Sequence, residues 1–249
     1  MFLELKNIEF AFHDRLDKKI LDDISVSNDK GKVLAIVGVS GAGKSTLLRL
    51  IAGILPRTKD KLSGVISIDD VPLSQYLQNH KVAFMFQEPA LLPNLTVREN
   101  IELALKIDKS DPSAEEIINL VGLKSYEHYL PNKLSGGMKT RVSLARSFVG
   151  NPQVLLLDEP FSALDIAWKN ILYHELKQLI KISNTSVVLV THDIREALEL
   201  GDTVLCLGLC GKVILENTET KNVGLYSLIK DIIISDHKLI KEHEKKFEI

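Results

Sequence analysis

Gly38-Val39-Ser40-Gly41-Ala42-Gly43-Lys44-Ser45-Thr46 satisfies the pattern G-x-x-x-x-G-K-[ST] in full, and it directly follows the apolar run Val33 to Val37. Each residue type has a physical task in such a loop. Gly38, Gly41 and Gly43 let the backbone wrap closely and aim its N–H groups inward at an anion. Lys44 carries a mobile positive charge to the β and γ phosphates of a nucleotide, and the Ser45 hydroxyl is a ligand for Mg²⁺. The residues after the loop, Thr46 to Ala52, have the apolar spacing of a helix. Bound phosphates would then also face a helix N-terminus, where unpaired N–H groups and the dipole favour negative charge. A plain glycine turn between strand and helix needs neither the lysine nor the hydroxyl, so the spacing predicts a nucleotide phosphate cradle.

Two further clusters carry chemistry. The run Val154 to Leu157 delivers Asp158 and Glu159 at the C-terminal end of a predicted strand, where open α/β sheets place ligands. Because successive strand side chains alternate, the two acids are expected to divide the work, one near Mg²⁺ and the other polarising a water in line with the γ phosphate. Upstream, Ser135-Gly136-Gly137 precedes the helical run Lys139 to Phe148. Ser135 is placed to cap that helix, and the glycines bare backbone N–H groups at its start, which makes a second anion site. Two such sites in one chain are redundant unless the second serves a nucleotide held by another copy of the chain. His192 follows the run Val187 to Thr191, again at the end of a predicted strand.

The elements that must position these groups read as α/β. Phe2 to Phe12 alternates apolar and polar residues as a half-buried strand does, Ile24 to Ser27 gives a second such stretch, and Val65 to Leu73 has the pattern of a hairpin. The first two predict an antiparallel strand layer preceding the phosphate loop. Val82 to Phe86 is a continuous apolar run of the kind buried central strands show. From Glu88 to Pro152 the character turns helical, with Thr96 and Glu99 forming a capping box and Ser113 opening another helix. Strand patterns return at Val154, Ser186 and Thr203, with a helix over 168–182 between the first two, the βαβ alternation of a parallel sheet. The expected organisation is a single domain over 1–249, a nucleotide-binding core of 1–87 and 153–249 with a helical subdomain of 88–152 inserted. The charged tail from Ser235 is expected to be a solvated helix.

Composition excludes several classes. The 249 residues are 45% hydrophobic and 26% charged, ordinary globular material, and the net charge of −2 gives no electrostatic case for nucleic acid. No apolar stretch approaches the roughly 18 residues needed to span a bilayer, and acid and base within the first six residues break any signal-peptide core, so a cytosolic chain is expected. Cys206 and Cys210 lie in an apolar stretch without further metal-ligand spacing and read as buried free thiols.

Taken in order, the phosphate loop Gly38 to Thr46, Gln87 after the strand at 82–86, Leu134-Ser135-Gly136-Gly137-Met138, Asp158-Glu159, Ser162-Ala163-Leu164-Asp165 and His192 resemble the motif series of the ATP-binding cassette (ABC) ATPases over nearly the whole chain. The resemblance implies a P-loop ATPase fold with a mixed central sheet, an antiparallel layer and a helical insert. It implies that Gly38 to Thr46 wrap the phosphates of ATP, that Ser45, Gln87 and Asp158 position Mg²⁺, that Glu159 is the general base, and that His192 holds the γ phosphate and the attacking water. Phe12 aligns with an aromatic that stacks on adenine, with Phe10 close enough to compete. Ser135, Gly136 and Gly137 would meet the nucleotide of an opposing copy, and Asp165 would bridge the two sites of a head-to-tail dimer. Met138 stands where the family usually has glutamine. That form, with the segment Gln87 to Ile101, resembles the nitrate/sulfonate/taurine importer group. It implies an integral-membrane permease as partner, seated on the 88–100 loop, a solute-binding protein in the same system, and a place at the cytoplasmic face of the membrane. A phospholipid-trafficking or export ATPase and a mechanochemical ATPase outside transport remain as alternatives.

Overall fold

The computed structural model describes residues 1–16, 18–56, 59–80, 82–105, 114–209, 213–217 and 224–247. The chain divides into two compact units, Met1–Asn79 with Val188–Ile249, and His80–Val187.

The first unit contains β1 (Leu3–Ala11), β2 (Leu21–Asn28), β3 (Val33–Gly38), α1 (Lys44–Ile51), β4 (Lys61–Ile68), β5 (Val71–Pro72) and α2 (Leu73–Asn79). The second contains β6 (Val82–Met85), α3 (Val97–Leu105), α4 (Ala114–Leu120), α5 (Gly136–Phe148), β7 (Val154–Asp158) and α6 (Ile166–Ser183). The division falls within β8 (Ser186–Thr191), and the first unit resumes with α7 (Ile194–Leu200), β9 (Thr203–Leu207), β10 (Val213–Asn217) and α8 (Leu225–Phe247).

In the first unit an antiparallel sheet runs β2-β1-β4-β5, with Leu3 opposite Asn28 on one side and Ile68 on the other. Along β1 Leu3 and Leu5 are buried, and after an irregularity at Asn7, where φ is +49°, the alternation resumes one residue out of phase and buries Ile8 and Phe10. Beside it, the order β10-β9-β3-β8 places β3 between two neighbours, with Leu34 to Gly38 parallel to Thr203 to Leu207. All six residues of β3 are buried, which is why its sequence is a continuous apolar run. Ala35, Val37, Ala197, Val204, Cys206, Leu225 and Ile229 form one core cluster there.

Cys206 is the buried free thiol the sequence predicts; Cys210 and the helix-opening Ser113 lie outside the described residues. Burial, with a smaller contribution from Asp236, pushes the Cys206 thiol from 9.0 up to about 11. The folded chain therefore holds this proton where the unfolded chain releases it, and the group's contribution to stability falls as pH rises from 9 to 11. Native protein treated with iodoacetamide at pH 8 should leave Cys206 unmodified by peptide mass spectrometry until denaturant is added; rapid native labelling would contradict the burial.

In the second unit β6 lies parallel to β7, with Val82 opposite Val154 and Met85 opposite Leu157. β7 is buried throughout. The run at 82–86 departs from the expected buried central strand: Val82 to Phe84 are half-buried, Phe86 is exposed, and among the described residues β6 has a strand on one side only. An apolar run of five residues does not distinguish an edge strand from the centre of a sheet.

The helices of this unit begin where side chains can satisfy their first N–H groups. Thr96 and Glu99 form the expected capping box, with Thr96 N–H donating to Glu99 Oε2 at 2.8 Å and Glu99 N–H to Thr96 Oγ1 at 3.2 Å. The adjoining Asn100 is 1% exposed and ties down the preceding loop, accepting from Leu92 N–H at 2.9 Å and donating to the carbonyls of Leu92, Leu95 and Thr96. Asn100→Leu should lower stability by about 2–4 kcal/mol, because it strands several buried backbone groups at once. Denaturant unfolding reads this directly, and a loss below about 1 kcal/mol would show that the loop does not depend on it.

Candidate nucleotide-binding site

In the first unit the phosphate loop leaves the C-terminal end of β3 and enters α1. Gly38 cannot be another residue: a Cβ there would sit 2.2 Å from the Leu207 carbonyl oxygen. Gly43 has φ of +89° and is the N-cap of α1, and a Cβ on it would lie 2.9 Å from the Ile20 carbonyl oxygen. α1 starts with no side-chain cap and no acid in its first turn. That contrasts with α5, α6 and α7, capped by Ser135, Asp165 and Asp193. The uncapped N–H groups and the dipole of α1 are thus left for an anion. Lys44 is 7% exposed, and its ammonium donates to the carbonyls of Gly38 and Val39 at 2.9 Å each, folded back along the loop it serves. Ser40 and Gly41 are exposed, Ala42 is buried, and Ser45 and Thr46 are half-buried on the first turn.

Two more predicted residues belong to this unit. Phe10 is 1% exposed, a core residue, whereas Phe12 is half-buried past the end of β1 with its ring edge-on to Phe10 at 4.8 Å. Of the two, Phe12 is the one with a free surface. His192 is exposed in the link between β8, the strand beside β3, and α7. The link is pinned on both sides, by Asp193 N–H donating to Thr191 Oγ1 at 3.0 Å and by Arg195 N–H donating to Asp193 Oδ1 at 2.9 Å.

The second unit contains the acidic pair, Gln87, the glycine-rich segment and Asp165. Asp158 ends β7 and is 2% exposed. Glu159 is not set by strand alternation: the strand has already ended, and Glu159 turns into the left-handed region at φ +49°. A non-glycine residue held there stores strain of order 1–3 kcal/mol, supported by its surroundings. Ser162 supplies that support, its N–H and Oγ both donating to the Glu159 carbonyl, the latter at 3.0 Å. Gln87 Nε2 donates to Glu159 Oε2 at 3.4 Å.

Ser135 caps α5 by accepting from Met138 N–H at 3.2 Å, which leaves its own O–H to donate outward. Gly136 is open, while Gly137 is packed so that a Cβ would lie 3.3 Å from the Ala163 carbonyl oxygen. Asp165 accepts from Trp168 N–H at 3.0 Å. Sequence reasoning missed Trp168 and Arg141, whose guanidinium lies 3.7 Å from the Trp168 ring centroid; a lone tryptophan three residues past Asp165 was the available signal.

No cluster of three or more His, Cys, Asp or Glu that could hold a metal occurs among the described residues. Taken singly, the Ser45 hydroxyl, the Gln87 amide oxygen and the Asp158 carboxylate are hard oxygen donors of the kind Mg²⁺ takes, an ion that keeps waters and substrate phosphates as its other ligands. No helix among the described residues is long and apolar enough to cross a membrane.

A family model described as ABC transporter matches residues 21–162. The chain is 41% identical over 192 residues to the aliphatic sulfonates import ATP-binding protein SsuB 2 of Burkholderia cenocepacia (strain HI2424), covering 77% of this chain and 69% of that protein. The protein of the same name from Burkholderia orbicola (strain AU 1054) matches equally. Among solved structures, the dimeric post-hydrolysis state of the ATP-binding cassette MJ0796 bound to ADP and Pi superposes with a TM-score of 0.76 at 29% identity, over 88% of this chain and 99% of that one. A second dimeric structure of the same bacterial cassette gives 0.74 at 29% identity, with the same coverage of both chains. With the phosphate loop, the acidic pair and the capped glycine-rich helix in this fold, the chain belongs to the ABC transporter family, as one of its ATP-hydrolysing subunits.

Proposed function

We propose that this chain is the ATPase of an importer for a small sulfonate-like solute, working as a head-to-tail pair that drives a separate integral-membrane permease from the cytoplasmic face of the membrane. The importer reading is supported by the identity to the sulfonate import proteins across 77% of the chain. The pairing is supported by the dimeric cassettes it resembles and by a second anion-ready helix start at Ser135. A nucleotide-binding core of 1–87 and 153–249 carries an inserted helical subdomain at 88–152. That second unit exposes Phe86, beside Gln87 in the chain, and Leu92, apolar side chains suited to a permease helix seated on the 88–100 loop. A solute-binding protein completes the proposed system.

In the proposed chemistry Phe12 stacks on adenine, the backbone of Gly38 to Thr46 wraps the phosphates, and Lys44 leaves its loop carbonyls for the γ phosphate. Ser45, Gln87 and Asp158 would hold Mg²⁺, which when bound neutralises phosphate charge. Glu159 takes the proton of the attacking water, and His192 orients that water and the γ phosphate. Ser135, Gly136, Gly137 and Asp165 face the nucleotide of the second copy. The observation that carries this reading is Glu159 itself, turned out of the strand and hydrogen-bonded by Gln87.

The test traps tagged Glu159→Gln protein with ATP in native membranes and identifies what co-purifies. A permease with a solute-binding protein supports import, and a lipid-transfer complex or a wholly soluble complex rejects it.

A further inference from the structure

The two segments offered to the second copy are joined by a contact that the motif series does not include. Trp168, in the first turn of α6, lies under the guanidinium of Arg141 on α5, 3.7 Å from ring centroid to Cζ. The ring also fills the face of Gly122, where φ is +65° and a Cβ would lie 2.3 Å from Trp168 Cη2 and 2.8 Å from Cζ3. Arg141 is 7% exposed and donates through Nη1 to the Val121 carbonyl at 2.8 Å and the Gly122 carbonyl at 3.3 Å. Its Nε has no hydrogen-bond partner among the described residues. A cation this buried, with one N–H unmatched, is stabilised by the aromatic face below it, and a desolvated cation–π contact is among the stronger of its kind.

The geometry has a direction. The same Trp168 whose ring is clasped gives its backbone N–H to Asp165, and Arg141 lies on the helix that Ser135 caps. Gly137 packs against Ala163 and Leu164 at the other end of the contact. The start of α5 and the start of α6 are therefore fixed to each other at two points, once through backbone packing and once through the clasp.

We propose that Trp168 is a positioning residue, which through Arg141 and Gly122 holds Asp165 in fixed relation to Ser135–Gly137, so that the face presented to a second copy's nucleotide is preformed. This rests on the head-to-tail pairing proposed above. The clasp lies wholly in the second unit, whereas the phosphate loop lies in the first. Loss of the clasp is thus separable from loss of the chain's own ATP binding.

The experiment measures ATP-driven dimerisation by analytical ultracentrifugation in Glu159→Gln protein, with and without Trp168→Ala, alongside binding of a fluorescent ATP analogue to the monomer. Trp168→Ala should weaken dimerisation by about 10–100-fold, the effect of losing a desolvated cation–π contact and its packing, with monomer affinity for the analogue unchanged. Trp168→Phe should recover most of the loss, and Trp168→Leu, which restores volume without the aromatic face, should not. Trp168 is the only tryptophan in the chain, so its emission reports the clasp, and Arg141→Met should shift that emission.

If Glu159→Gln alone stays monomeric with ATP, the pairing itself is wrong. If it dimerises and Trp168→Ala dimerises equally well, the positioning role is wrong while the pairing stands. Rescue by leucine equal to that by phenylalanine would also overturn it, as would equal losses in dimerisation and monomer binding. Should the alanine variant not fold, the phenylalanine and leucine comparison decides alone.

Discussion

Glu159→Gln should abolish steady-state ATP turnover while ATP still binds, and the bound protein should accumulate as a dimer. The amide is isosteric with the carboxylate, and its carbonyl oxygen still accepts the hydrogen bond that Gln87 Nε2 now gives to Glu159 Oε2. The backbone turn at φ +49° is equally strained for either residue and keeps both donors from Ser162. In the proposed chemistry what disappears is the basic oxygen that takes the proton of the attacking water, a role worth about 10²–10⁴-fold in rate. The substitution also removes a negative charge, which in the proposed arrangement favours the nucleotide-loaded state. Phosphate release under saturating ATP measures the first effect and sedimentation with and without ATP the second. Turnover within tenfold of the parent protein would reject Glu159 as base, and a monomer at saturating ATP would count against the paired site.

Glu159 also shows where sequence and structure part. That two adjacent acids stand where the strand ends at Asp158 is visible in the residues. The cause the sequence offers for aiming them apart, alternation along a strand, is not the one at work. Strand geometry stops at Asp158, and a single left-handed residue re-aims the second acid. No local propensity announces a glutamate at positive φ, because the conformation is held by Ser162 and its surroundings. The capping signals fare differently. Thr96 with Glu99, and Ser135, cap their helices because a cap is a contact among residues three apart, and short-range chemistry is legible in a string.

Contacts between distant segments were not legible. Arg141, Trp168 and Gly122 come from three separate stretches, and nothing in the periodicity of any one points to the other two. The Thr96-to-Glu99 box could be read, but Asn100 beside it satisfies a loop that precedes its own helix. A buried amide with four partners reads in sequence as one more polar residue on a helix. The choice between Phe10 and Phe12 was open for the same reason: two aromatics one strand-period apart are equivalent until the sheet shows that the first is core and the second lies past the strand's end.

Lys44→Ala should lower ATP affinity by about 10–100-fold and bring turnover down with it, since charge-assisted hydrogen bonds to a bound anion are worth about 1.5–3 kcal/mol. The Lys44 ammonium donates to the Gly38 and Val39 carbonyls at 2.9 Å each, which keeps the charge inside the loop. Transfer to phosphate exchanges hydrogen bonds to neutral carbonyls for stronger ones to an anion. The alanine variant loses that gain and leaves the N–H groups of α1 and the glycine backbone as the remaining anion contacts. Residual weak binding is expected for this reason, and calorimetry on the folded variant measures it. Unchanged affinity would remove Lys44 from the cradle and with it the assignment of the loop as the nucleotide site.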